Sequence, residues 1–279
     1  MSTIYKSPAG ASEIRRRYRE GLRTWPVPAD HIHVPTRQGE TFVVASGPEN
    51  ASPVVLLHGS GGNAMMWRSD VASWSRHFRV HAVDLIGEPG LSAPSRPPLD
   101  SDAYALWLDE VLDALGITAA PVVGISLGGW MALDYAIRRP DRVTRLALLC
   151  PGGVGRTRSA WLLKAVLLSV FGRRGVRRSA RKVAGLEKVR DTSVLDDLVL
   201  TFTQFKPRTA RLPTFTDEAL RRLTMPMLVT VGDRDALIDS AGTAERVRRC
   251  VPQATVRLLP GVGHLIFGQT EPILTFLRA

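Results

Sequence analysis

The sequence predicts an α/β fold, a mostly parallel central sheet of about eight strands with helices on both faces. Three observations carry this. Short, nearly continuous apolar runs, among them Pro53 to His58, Val80 to Asp84 and Pro121 to Gly124, suit strands that are buried on both sides. These runs alternate with stretches of helical spacing, the rhythm of repeated βαβ units. Finally, Gly124-Ile125-Ser126-Leu127-Gly128 lies between one apolar run and a helical pattern that continues to Arg139, so Ser126 falls on a strand-to-helix turn.

Taken in order, Ala11 to Trp25 reads as a basic amphipathic helix stopped by Pro26 and Pro28. Two strands, Ile32 to Pro35 and Thr41 to Ser46, open the sheet, and Pro53 to His58 is the first doubly buried one. A glycine-rich turn, His58 to Gly62, leads to a helix through His77, and Val80 to Asp84 repeats the strand pattern. The loop Leu85 to Leu99 is rich in Gly and Pro, and the helix Asp102 to Leu115 ends at Gly116. Strands follow at Pro121 to Gly124, Val143 to Leu149, Met227 to Val231 and Thr255 to Leu259, and a helix from Thr270 to Arg278 closes the chain. Residues 153–223 break the alternation with helical patterns and no convincing strand. The expected division is therefore a core of residues 1–152 and 224–279 and a helical lid insertion of residues 153–223, in which Trp161 to Phe171 is apolar but for Lys164 and Ser169.

Composition narrows the class. With 279 residues, 44% of them hydrophobic, the chain can bury a sizeable core as a globular, soluble protein. No window approaches the roughly 18 apolar residues of a membrane span, and Met1 to Gly10 lacks the apolar centre of a secretion signal, so a cytoplasmic location is expected. Cys150 and Cys250 make no disulfide framework and are expected to be reduced and structural. The net charge of +11 is concentrated in residues 155–222, which hold sixteen Lys or Arg against six Asp or Glu. The cluster Arg173, Arg174, Arg177, Arg178, Arg181 and Lys182 reads first as a solvated helix face; an anionic substrate is the partner it would otherwise suit. No aromatic interleaving or recognition motif accompanies the charge, which argues against nucleic acid.

The candidate chemistry is nucleophilic. Serine is a poor nucleophile at neutral pH; it needs an imidazole to take its proton and a carboxylate to orient that imidazole. Ser126, His264 and Asp235 supply these types, each just past the carboxyl end of an expected strand, where a parallel sheet places its ligand crevice. Asp233 and Asp239 compete with Asp235, while His31, His33, His58, His77 and His81 compete with His264 but do not follow the last strand. An oxyanion hole is expected from the backbone N–H of Leu127 and that of Ser60, with Gly61 the neighbour easily confused with Ser60. His58 is expected to support the glycine turn by hydrogen bonding, and Asp84 to organise the loop after it. Gly59, Gly61, Trp161 and Phe171 are candidate substrate-pocket residues. No metal-ligand cluster or phosphate-cradling loop is evident, so neither a metal nor another cofactor is expected.

The segments His58 to Gly62, Asp84-Leu85-Ile86-Gly87-Glu88-Pro89-Gly90-Leu91-Ser92, Gly124 to Gly129, Gly232-Asp233-Arg234-Asp235 and Gly263-His264 resemble the α/β-hydrolase superfamily, in particular its bacterial carboxylesterases. Trp25-Pro26-Val27-Pro28 and Val34-Pro35-Thr36 share in that resemblance. It covers most of the chain and implies the α/β-hydrolase fold, the chain order Ser, Asp, His, and cofactor-independent cleavage of a small-molecule ester through an acyl-enzyme. The loop departs from the tighter Asp-x-x-Gly-x-Gly-x-Ser pattern by one inserted residue around Glu88, expected to reshape a pocket wall. Relatives with an aspartate nucleophile, the dehalogenases and epoxide hydrolases, are disfavoured by Ser126. The same triad leaves open thioester, lactone and C–C bond hydrolysis, perhydrolysis and acyl transfer, and the same fold can serve as a ligand-binding protein or non-hydrolytic biosynthetic catalyst. Oligomeric state leaves no mark on the sequence.

Overall fold

A computed structural model describes residues 4–158, 177–178 and 193–279. Helix α1 (Pro8–Arg23) precedes the strands β1 (Ala29–Thr36), β2 (Gly39–Ser46), β3 (Pro53–Leu57), β4 (Arg79–Val83), β5 (Ala120–Ile125), β6 (Val143–Leu149), β7 (Met227–Gly232) and β8 (Thr255–Leu259). The other helices are α2 (Arg68–Trp74), α3 (Ala103–Ala114), α4 (Leu127–Arg138), α5 (Ser193–Gln204), α6 (Asp217–Arg221), α7 (Ser240–Cys250) and α8 (Thr270–Arg278). The strands form one sheet in the order β1-β2-β4-β3-β5-β6-β7-β8. Pairings of β1 with β2 and of β2 with β4 are antiparallel, and the rest are parallel.

The apolar runs explain the layering. Val54, Val55, Leu56 and Leu57 are all fully buried, so β3 shows water neither face. Because side chains alternate along a strand, Val55 and Leu57 join Trp107 of α3, Leu133 of α4 and Val247 of α7 in one core. Val54 and Leu56 join Tyr18 and Leu22 of α1, Trp74 of α2 and Leu277 of α8 in the other. Each such Val or Leu removed from water contributes about 1.5–3 kcal/mol, and a doubly covered strand gains this on both faces.

Element ends differ from the sequence expectation where local chemistry decides. Helix α1 begins at Pro8, three residues before Ala11. The Ser7 side chain accepts the Gly10 N–H at 3.0 Å, and proline at the first helical position loses no hydrogen bond. Strand β1 runs beyond Ile32 to Pro35 because its whole length pairs with β2, from Ala29 opposite Ser46 to Thr36 opposite Gly39. The single helix expected to reach His77 is a 3₁₀ turn, Ala64–Trp67, followed by α2, which ends at Trp74.

Among the described residues of 153–223 there are helices α5 and α6 and no strand of the sheet. Helix α5 packs Leu195 and Val199 against Leu265, in the loop after β8. Trp161, Phe171, Arg173, Arg174, Arg181 and Lys182 lie outside the described residues. Arg177 is ion-paired with Asp196 of α5, and Arg178 is exposed. No helix among the described residues is long and apolar enough to cross a membrane.

Asp84, at the end of β4, ties three segments together. Its Oδ1 accepts the Tyr18 hydroxyl at 2.9 Å and the Ala64 N–H at 2.8 Å, and its Oδ2 accepts the Leu91 N–H at 2.9 Å. The carboxyl organises the loop, as the sequence led us to expect. Burial pushes it up to about 6, against the pull of those three donors. In Asp84→Asn one accepting oxygen becomes an NH₂ facing a donor, so the unfolding free energy should fall by about 1–3 kcal/mol. A chemical-denaturation midpoint equal to that of the wild type would contradict this account.

Candidate active site

The parallel strands bring β3, β5, β6, β7 and β8 side by side with their carboxyl ends at one edge. The turns beyond β3, β5, β7 and β8 hold Ser60, Ser126, Asp235 and His264, so residues far apart in sequence meet there. Ser126 adopts φ 52° and ψ −106°, a strained conformation for a residue with a side chain. Its N–H donates to Leu149 O at 2.9 Å, and its carbonyl accepts from Trp130 N–H at 2.9 Å and Gly152 N–H at 3.2 Å.

The flanking glycines are required by space. A Cβ at Gly128 would stand 2.1 Å from Leu57 O, and one at Gly124 would stand 2.6 Å from Gly128 O. The chain can therefore double back over β3 only without those side chains.

The three candidate catalytic residues come into hydrogen-bond contact. Ser126 Oγ lies 3.0 Å from His264 Nε2, and His264 Nδ1 lies 2.7 Å from Asp235 Oδ2. The other oxygen of Asp235 accepts the N–H groups of Leu237 at 2.7 Å and Ile238 at 3.1 Å, which fixes the carboxylate from behind. Asp235 and His264 are buried. The rival aspartates are engaged elsewhere: Asp233 accepts the Gly261 N–H at 2.7 Å, and Asp239 caps α7 by accepting the Gly242 N–H at 3.2 Å.

His58 holds the neighbouring turn. Leu85 N–H donates to its Nε2 at 2.9 Å, so the proton sits on Nδ1 and is donated to Gly59 O at 2.8 Å. Burial lowers this imidazole to about 4, outweighing its bond to Gly59, which keeps it neutral. Gly59 faces the serine, since a Cβ on it would stand 3.6 Å from Ser126 Cβ.

The backbone also separates Ser60 from Gly61. Glu88 Oε2 accepts the Gly61 N–H at 2.7 Å, whereas no acceptor among the described residues takes the N–H of Ser60 or of Leu127. Gly61 has φ +73°, and a Cβ there would lie 3.6 Å from Thr201 of α5.

Two contacts went unseen in the sequence. Cys150, at φ 40° just beyond β6, donates its thiol to His264 O at 3.1 Å, and its sulfur lies 3.9 Å from His264 Nε2. Both cysteines are free and buried, but Cys150 thus belongs to the site. Only its place at the end of the strand between β5 and β7 could have signalled this. Burial alone would lower the His264 imidazole; the Cys150 sulfur and the Asp235 carboxylate outweigh it and raise it above the ordinary range. Cys150, Asp235 and His264 also place potential metal ligands within 4.8 Å of one another. Their donor atoms are already committed: Asp235 Oδ2 to His264 Nδ1, and His264 Nε2 to Ser126. The second unseen contact is that of Glu88, buried beneath the glycine turn.

A family model for the alpha/beta hydrolase family matches residues 54–276. The chain belongs to the α/β-hydrolase family. It is 32% identical over 263 residues to a carboxylesterase of Bacillus subtilis (strain 168), covering 89% of this chain and 85% of that protein. A second carboxylesterase of the same organism, YbfK, is 30% identical over 256 residues, covering 89% and 86%. The crystal structure of carboxylesterase CesB (YbfK) superposes with a TM-score of 0.84 at 26% identity, covering 97% of this chain and 96% of that one. Within the α/β hydrolases, the chain falls among the carboxylic-ester hydrolases.

Because the Gly128 contact is with backbone, Gly128→Ala cannot be relieved by a side-chain shift. It should lower stability by more than about 1 kcal/mol and sharply reduce esterase activity. A thermal midpoint and ester turnover both at wild-type level would refute the close approach.

Proposed function

We propose that the protein hydrolyses a carboxylic ester with a substantially apolar acyl or alcohol part through an acyl-enzyme formed on Ser126. The observation that carries this is the continuous relay from Ser126 Oγ to His264 Nε2 at 3.0 Å and from His264 Nδ1 to Asp235 Oδ2 at 2.7 Å. In this mechanism His264 accepts the Ser126 proton as Oγ attacks the ester carbonyl, and Asp235 holds the ring and stabilises the imidazolium. The N–H groups of Ser60 and Leu127 receive the oxyanion. Collapse expels the alcohol, protonated by His264, and water then repeats the sequence to release the acid. Each oxyanion donor of this kind is worth about 3–4 kcal/mol of transition-state stabilisation.

The apolar preference is supported by the cluster of Leu195, Val199, Phe202 and Leu265, the last of which follows His264 in the chain. Trp130, one helical turn beyond Ser126, stacks on Phe215 with ring centroids 5.7 Å apart. Residues 153–223 would act as the lid over this crevice, with α5 as its described edge.

Ser126→Ala should reduce ester turnover by about 10³-fold or more with an unchanged thermal midpoint. A fluorophosphonate probe should add its mass to the wild type and not to the variant; labelling of the variant at the wild-type rate would place the nucleophile elsewhere.

The pH response follows from His264. Only the neutral imidazole can accept a proton, and its protonated form is favoured beyond the ordinary range, so activity is lost on acidification. We expect kcat/KM to rise with pH with a midpoint above about 6.5, the value of a free imidazole. A midpoint at or below that value would contradict the stabilisation of the imidazolium by Asp235.

A further inference from the structure

We propose that Glu88 is a positioning residue that sets the oxyanion turn: by accepting the Gly61 N–H it fixes the turn so that, of the turn's own N–H groups, that of Ser60 joins the Leu127 N–H in facing the reacting carbonyl. This rests on the reading of Ser126 as the nucleophile, and extends it to a residue in the one stretch where the loop is longer than the usual pattern.

The contacts run in one direction. Glu88 Oε2 accepts Gly61 N–H at 2.7 Å and the Ser60 hydroxyl at 3.3 Å, while its other oxygen is buried with no hydrogen-bond partner among the described residues. Its side chain is fully buried, so no competing bond to bulk water loosens this hold. The loop backbone that carries this side chain is itself anchored. Gly90 N–H donates to Glu88 O at 2.8 Å, Gly87 N–H donates to Ala93 O at 2.8 Å, and Asn63 Nδ2, at the far end of the turn, donates to Pro89 O at 3.1 Å.

The turn needs such an anchor. Gly61 sits at φ +73° and Gly62 N–H closes back on Gly59 O at 3.1 Å, a tight turn of glycines with little conformational preference of its own. A free Gly61 N–H would also compete with that of Ser60 for the substrate oxygen. An unscreened carboxylate here would repel a developing oxyanion. Arg96 and Arg208 counter that charge: both pull the Glu88 carboxyl down, although burial leaves it raised on balance.

Three variants separate reach from charge. Glu88→Leu removes both, Glu88→Asp keeps the charge but is one methylene too short for Gly61, and Glu88→Gln keeps an accepting oxygen at full reach without the charge. We expect kcat to fall by about 10- to 100-fold in the Leu and Asp variants, with KM within about twofold of wild type. The loss should be the same factor for esters of short and long acyl chain, since every ester forms the same oxyanion. The Gln variant should recover most of it. Fluorophosphonate labelling of Ser126, which passes through a similarly charged oxygen, should slow in the same order, with thermal midpoints measured alongside.

Wild-type kcat in the Leu and Asp variants would overturn the proposal. So would a Gln variant as impaired as Asp, a loss confined to KM or to some esters, or losses that track the thermal midpoint. A folded wild type that the probe does not label would instead mean that the reading of Ser126 has failed.

Discussion

Ser126 holds φ 52° and ψ −106°, which costs a residue with a side chain about 1–3 kcal/mol, and the sheet around it is what makes that conformation persist. Its N–H is taken by Leu149 at the end of β6, and its carbonyl is shared by Trp130 and Gly152. Gly124 and Gly128 allow β3, β5 and the start of α4 to approach closely enough for these bonds to form. Cys150, just beyond the end of β6, is the other described non-glycine residue at positive φ, and its N–H is bound by Thr230 O of β7. Strain is thus gathered at the ends of two neighbouring strands. From one of them the serine projects toward His264; from the other a thiol supports the backbone of His264.

Beneath the site lies a floor of buried polar groups. Asp84, His58 and Glu88 are all fully buried, and each is occupied with backbone N–H or C=O groups of the loops beside the serine. Burying such groups is unfavourable unless they are hydrogen-bonded, so once paired they hold loops that have no regular structure of their own. The turn after β3, the loop after β4 and helix α1 are linked in this way. The N-terminal helix, though distant in sequence from the candidate nucleophile, reaches the site's support through Tyr18 and Asp84.

The exposed ion pairs of α1 contribute little to this architecture. Arg16 and Arg17 pair with Glu13 and Glu20 on α1, and Arg17 reaches Asp197 of α5, all at exposed positions. Exposed pairs contribute about 0–1 kcal/mol each and weaken with salt. The apolar contacts of Leu195 and Val199 with Leu265, and of Ile14 with Phe205, hold α1 and α5 more firmly.

The sequence by itself determined the order of strands and helices, because burial on both faces demands apolar runs and burial on one demands helical periodicity. It also singled out Ser126, Asp235 and His264, since a turn without room for side chains and an apolar strand before each candidate leave marks in composition. Element ends were legible only roughly: Ser7 and Pro8 set the start of α1 by capping, and the length of β1 came from pairing with β2. The tertiary structure alone supplied the contact that sets Asp235 apart from its neighbours Asp233 and Asp239, the hydrogen bond of its carboxylate to the imidazole. It alone showed that the Gly61 N–H is taken by Glu88, and it brought Cys150 and Glu88 beside the residues the sequence had named. Contacts across 114 residues, as between Cys150 and His264, arise from the side-by-side placement of strands that are distant in the chain. No local pattern encodes such a contact, because its geometry is set by the packing of the whole sheet.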